Sequence, residues 1–117
     1  MKTELTETIL QQHCVKWFRL QYPKAAGLLF SIPNEGKRSK ANSWRMKAEG
    51  MRAGVSDLFL AIPRSVYNGL WIEMKTQKGV LSAEQKEFQA DMQAQGYATT
   101  VCRSIEEFMN AIRIYLK

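Results

Sequence analysis

From Thr6 to Tyr22 the apolar residues Ile9, Leu10, Cys14, Trp17, Phe18 and Leu20 recur at helical intervals, which predicts an amphipathic helix stopped by Pro23. Gly27-Leu-Leu-Phe-Ser-Ile32 is a short apolar run that reads as a buried strand, closed by the turn chemistry of Pro33-Asn-Glu-Gly36. Residues 41–49 have room for one or two helical turns, and Gly50 and Gly54 punctuate the approach to the next strand. Two further runs, Leu58 to Ile62 and Leu70 to Met74, are apolar enough to be buried on both faces, and the connection from Pro63 to Gly69 suits a long hairpin. Ser82-Ala-Glu-Gln85 has the form of a capping box that opens a helix to about Gln95, where Gly96 ends it. Tyr97 to Cys102 is a β-rich run. Ser104-Ile-Glu-Glu107 is a second capping box, opening a last helix with Phe108, Ile112 and Leu116 on one stripe. The order is helix, three strands with a short helix among them, helix, strand, helix. This predicts an α/β fold with a central sheet flanked by helices and no internal repeat.

At 117 residues the chain fits one domain with one core, so residues 1–117 are taken as a single unit. Hydrophobic residues make up 45% and charged residues 24%, which excludes disordered and fibrous classes. No stretch approaches the length of a transmembrane span and the N-terminus has no apolar leader, so a soluble cytoplasmic protein with no membrane partner is expected. The two cysteines, Cys14 and Cys102, stand in no metal-type spacing and are expected as reduced core residues. With His13 the sole histidine, a zinc site of Cys and His is not expected.

Charge narrows the choice of partner. Lysine and arginine number 17 against 11 acids, a net charge of +6 that suits a polyanion. The excess concentrates between Lys37 and Arg52, where Lys37, Arg38, Lys40, Arg45, Lys47 and Arg52 are opposed only by Glu49. Contacts from such a segment grip phosphates and give affinity with little sequence choice. Trp44 within it either wedges against a base or sugar or, the commoner role and the one favoured here, anchors the segment to the core. Trp17, Phe18 and the last helix read as core or dimer surface.

The chemistry lies in the two central runs. Side chains alternate along a strand, so Trp71, Glu73 and Lys75 point one way and Ile72 and Met74 the other. If the hairpin pairs as expected, Asp57 at the start of one strand lies near Glu73 toward the end of its partner. Two buried carboxylates repel, and a divalent cation relieves that repulsion. Magnesium takes oxygen ligands, keeps several waters and is held by one or two carboxylates with phosphate oxygens. Asp57 and Glu73 supply the carboxylates and the Met74 carbonyl a third oxygen. Lys75 would position or deprotonate a water, or neutralise charge at phosphorus. Taken singly, Asp57 also reads as a turn residue and Glu73 with Lys75 as a plain ion pair. Taken together, those readings require two buried strands to give core positions to charge for no gain.

The spacing Asp57, Glu73-x-Lys75 looks like the PD-(D/E)xK nuclease signature, which alone is short. The longer strings Ala48-Glu-Gly-Met-Arg-Ala-Gly-Val-Ser-Asp-Leu-Phe59, Gly69-Leu-Trp-Ile-Glu-Met-Lys-Thr76, Leu81-Ser-Ala-Glu-Gln85 and Gln95-Gly-Tyr97 together resemble the stand-alone VRR-NUC (virus-type replication-repair nuclease) domains of phages and bacteria, over nearly the whole chain. The resemblance implies a restriction-endonuclease-like core, magnesium or manganese as cofactor, and a cytoplasmic setting in a bacterial or phage-infected cell. It further implies a homodimer acting on branched DNA such as a four-way (Holliday) junction. Residue by residue it makes Asp57 and Glu73 metal ligands, Lys75 the catalytic lysine, and Glu7 an auxiliary acid and ligand on the first helix, with Glu4 its rival. Gln85 matches a glutamine at the start of the helix after the catalytic strand, where it could reach a phosphate or Lys75. Two positions depart from the pattern. Ser56 stands where a proline often precedes the aspartate, and Gln89 where related nucleases often carry tyrosine. The rival readings are a flap or nicking nuclease with the same site, and a DNA-binding module of this fold without catalysis. An RNA-binding protein lacks the usual aromatic stacking motif.

Overall fold

The computed structural model describes residues 6–33 and 40–117, with side chains from residue 44 onward in the second span. Helix α1 spans Glu7–Gln21; its N-cap Thr6 accepts the Ile9 amide at 3.1 Å, and its buried residues Leu10, Cys14 and Phe18 form one stripe. Strand β1 (Leu29–Ser31), helix α2 (Lys40–Ala48), strands β2 (Leu58–Leu60) and β3 (Leu70–Met74), helix α3 (Ala83–Ala94), strand β4 (Ala98–Cys102) and helix α4 (Ile105–Leu116) follow.

The four strands form one mixed sheet in sequence order. β1 pairs antiparallel with β2, β2 antiparallel with β3, and β3 parallel with β4. The parallel pair needs a crossover, and α3 supplies it. Between β2 and β3 the chain turns at Arg64–Tyr67, whose backbones bond each other in both directions, with Ser65 at φ 54°.

Helices α1 and α4 cover one face of the sheet. There Leu10, Cys14, Phe18, Phe108 and Ile112 meet Leu29, Leu58, Leu60, Leu70, Ile72, Met74 and Cys102 in one apolar cluster. The expected stripe on α4 is present, with Leu116 packed at its margin. Burial pushes the Cys14 thiol up to about 12 and the Cys102 thiol up to about 11, so both remain protonated and free at neutral pH, as expected. Helix α3 covers the other face, where Trp71 stacks on Phe59 (4.4 Å between ring centroids) and meets Phe88 edge-on (5.0 Å).

Three expectations change. The strand expected over residues 27–32 is confined to Leu29–Ser31, because Pro23 opens a 3₁₀ turn that runs through Leu28. The capping box at Ser82 is complete, but that at Ser104 is half-formed: Ser104 caps the Glu107 amide, while the Glu107 carboxylate takes the Arg103 amide at 2.8 Å instead. The short helix at 41–49 is a full α2. It ends in a Schellman motif, with Met51 N–H donating to the Met46 carbonyl, Gly50 N–H to that of Lys47, and Gly50 at φ 104°. Among the described residues no helix is long and apolar enough to cross a membrane.

Candidate active site

The antiparallel register Leu58↔Ile72 sets Asp57, one residue before β2, beside the end of β3. Its Oδ2 accepts the Met74 amide at 2.7 Å, and its carbonyl accepts the Ile32 amide at 2.9 Å, so Asp57 joins three segments. N–H and C=O of one strand residue point to the same side, so the Met74 carbonyl also faces Asp57. On the α3 face of β3, Glu73 is only 2% exposed. Its Oε2 lies 3.9 Å from Lys75 Nζ and accepts Gln85 Nε2 at 3.1 Å.

Gln85 is held there by the start of α3. Its Oε1 accepts the Ser82 amide at 2.9 Å, and its own amide donates to Ser82 Oγ at 3.1 Å. With the amide oxygen taken by an N–H donor, the amide nitrogen must face Glu73. The same turn packs on the chain leading into Asp57. At Gly54 (φ 84°) a Cβ would lie 2.4 Å from the backbone carbonyl of Glu84, so only glycine permits this approach. Beyond β3, Arg103 Nη1 donates to the carbonyls of Thr76 (2.8 Å) and Gly79 (2.6 Å), bracing the turn that follows Lys75. Ser82, Gly54 and Arg103 were not singled out for the site by sequence reasoning. The capping box and the glycine within the family-like stretch Ala48–Phe59 were the available signals; Arg103 had none.

Burial is the chief force on Glu73, followed by the neighbouring Asp57 carboxylate. Together they push its carboxyl up to about 8, against the opposing pull of Lys75. Glu7, exposed in the first turn of α1, adds a weaker upward push through space. It does not join the other two acids: among the described residues no three His, Cys, Asp or Glu side chains converge. Glu4 lies outside the described residues.

Three buried polar atoms in this layer are without a hydrogen-bond partner among the described residues: Glu73 Oε1, Trp71 Nε1 and Gln89 Nε2. An acceptor oxygen left bare on buried Glu73, beside the half-buried Asp57 carboxylate, is what a hard cation would satisfy. Two carboxylates and a backbone carbonyl match the sparse, water-retaining shell of magnesium or manganese, and nothing in the donor set suits a thiolate or imidazole metal. The residues present fit the ion.

The basic segment divides. Lys37, Arg38 and the Lys40 side chain lie outside the described residues, whereas Arg45 and Lys47 are exposed on α2. Arg52 is already engaged: its Nη2 pairs with Asp91 Oδ2 at 2.6 Å and its guanidinium stacks over Phe88 at 5.2 Å, tying the root of this segment to α3. Trp44 corrects an expectation. It is 67% exposed and has no ring partner among the described residues, so it does not anchor the segment to the core.

A family model described as the VRR-NUC domain matches residues 2–106. The chain belongs to the VRR-NUC family. It is thus a nuclease domain of the PD-(D/E)xK type. It is also similar to a solved structure titled "VRR_NUC domain protein", with a TM-score of 0.86 and 27% identity over 99% of this chain and 91% of that one. The mixed sheet with flanking helices is therefore the fold of this family. None of the curated proteins matches the chain.

Proposed function

We propose that this VRR-NUC domain is a metal-dependent DNA endonuclease that cuts branched DNA, with Asp57, Glu73 and Lys75 as its reaction centre. The observation that carries the reading is Glu73: nearly sealed from solvent, beside a second carboxylate, 3.9 Å from a lysine ammonium, and with one bare oxygen. Asp57, Glu73 and the Met74 carbonyl would hold magnesium or manganese, which when bound supplies charge stabilisation at phosphate and a more acidic water. Asp57 keeps the end of β3 in register through the Met74 amide, so the donors stay fixed relative to one another. Gln85 and Lys75 both address Glu73 Oε2, which leaves Oε1 for the ion. Lys75, with a side chain only 12% exposed, presents its ammonium beside the carboxylates, where it orients water or balances charge at phosphorus. Glu7, offset on α1, shapes the field of the site from a distance.

One chain of this size carries one such centre, and resolving a four-way junction requires two symmetric cuts. A homodimer on Holliday junctions is therefore the form proposed. Arg45 and Lys47 of α2, with Lys37, Arg38, Lys40 and Arg52 of the same segment, would contribute phosphate contacts near the cut.

The test is cleavage of junction, flap, splayed-arm and duplex DNA with magnesium or manganese, together with a mass measurement in solution. Lys75→Ala is expected to lower the rate by about 10²–10⁴-fold without unfolding the protein. If all four DNAs survive with either metal, or if Lys75→Ala cuts as well as the parent, the assignment fails. Cleavage of flaps alone by a monomer would favour the flap nuclease instead.

A further inference from the structure

Helix α2 is at odds with the rest of the molecule. The other helices bury part of an apolar stripe, but over residues 44–48 only Met46 is even half covered, and Trp44, Arg45 and Lys47 face solvent. The other two tryptophans are packed among rings, Trp17 against Tyr22 and Phe108 and Trp71 against Phe59 and Phe88. A solvent-facing indole gains nothing for the fold, and a nine-residue helix is short for standing on its own propensity.

Its root, however, is firmly set. The Schellman stop at Gly50, the Arg52–Asp91 pair and the close approach of Gly54 to Glu84 fix the C-terminal end of α2 against the helix whose Gln85 reaches Glu73. An exposed aromatic on a cationic helix, fixed at its base to the catalytic layer, is built to meet a ligand rather than to hold a core.

We infer that Trp44 is a stacking platform for an unpaired base of the DNA substrate, with Lys47 on the same helical face taking the adjoining phosphate. The inference rests on the nuclease reading above and names the feature of branched DNA that the protein would recognise. Positions i and i+3 lie about 5–6 Å apart on a helix, close enough for one residue to serve a base and the other its backbone. Charge selects a polyanion, and the indole selects among polyanions. A duplex offers phosphates but hides its base faces, whereas a strand at a fork or crossover exposes them. Trp44 thus gives preference for unpaired DNA, and Arg45 and Lys47 give affinity for any DNA.

Binding in EDTA separates this inference from cleavage. Fluorescein-labelled oligothymidylate, a splayed-arm DNA and a fully paired duplex are titrated against the parent, Trp44→Ala, Trp44→Phe and Lys47→Ala proteins. Stacking is worth about 1–3 kcal/mol per base, so Trp44→Ala is expected to weaken the first two ligands by about tenfold or more and the duplex by less than about twofold. Trp44→Phe should recover most of the loss, and the salt dependence of Trp44→Ala should match the parent. Lys47→Ala should weaken all three ligands and flatten the salt slope by about 0.7–0.9. Equal losses on all three DNAs, or no loss, would overturn the role given to Trp44. An unchanged melting curve for Trp44→Ala excludes misfolding as the cause. Because cleavage is not measured, a failure here leaves the nuclease assignment standing, and loss of that assignment would show instead in the Lys75→Ala assay.

Discussion

On the face that meets α1 and α4, strand β3 contributes Leu70, Ile72 and Met74 to a cluster made wholly of apolar side chains and two protonated thiols. On the face that meets α3 the same strand contributes Trp71 and Glu73, with Lys75 one residue past its end, and among the described residues the layer holds a buried carboxylate and three unpaired polar atoms. Successive residues of one five-residue strand therefore serve opposite purposes. The first face gives the domain its stability, and that surplus permits the second to keep two neighbouring carboxylates that disfavour folding when both are charged. The division also explains why α3 is joined to the site by side-chain hydrogen bonds. It must orient groups as well as cover them.

The comparison breaks most visibly in the apolar layer. Phe18, fully buried, should cost about 3–5 kcal/mol of stability when changed to Ala, while cleavage per folded molecule stays near the parent's; a fall in cleavage exceeding the loss of folded protein would show that the two faces are coupled. The opposite sign is expected across the sheet. Glu73 titrates near 8 when folded against 4.5 in its unperturbed state, so the native state binds the extra proton and metal-free stability should fall as pH rises from about 4.5 to about 8. Glu73→Gln should remove most of that slope and stabilise the metal-free protein by roughly 2–4 kcal/mol at pH 8, at the expense of activity. Melting curves of both proteins at pH 5 and pH 8 decide it, and parallel slopes would contradict a buried Glu73 repelled by Asp57.

Smaller effects sharpen the boundary between the layers. Gly54→Ala places a side chain in left-handed backbone against Glu84 and should cost about 1–3 kcal/mol, with a disproportionate loss of cleavage because Asp57 and Gln85 are pushed apart. Last, Gln85→Leu keeps the bulk but removes both amide bonds. About 0.5–2 kcal/mol of helix-start stability should go, with a higher metal concentration needed for half-maximal cleavage, whereas a stability loss without that shift would make Gln85 a cap alone.

Much of this was legible in the residues. The apolar run at Leu70–Met74 and the alternation of Glu73 with Ile72 and Met74 set β3 and its two faces, because alternation along a strand is a strong local signal. The register placing Asp57 beside Glu73 followed from the hairpin. What escaped was non-local. The fate of Leu28 was decided by Pro23 five residues earlier, and the exposure of Trp44 depended on whether any apolar surface existed for it to meet. The Arg52–Asp91 pair spans 39 residues, and no local pattern announces such a contact. Gln85 was visible both as a cap and as a site residue, but that one amide performs both tasks emerged only from the packing of α3 on β3.

That shared amide makes the opening of one helix and the readiness of one carboxylate a single event. When the first turn of α3 frays, as helix ends do, Ser82 N–H loses its acceptor and Glu73 loses its donor in the same motion. Deuterium uptake at the Ser82 amide would therefore act as a clock for assembly of the centre: slow exchange marks the interval in which the carboxylate is aimed, and its acceleration marks release, with no substrate or metal required to read it.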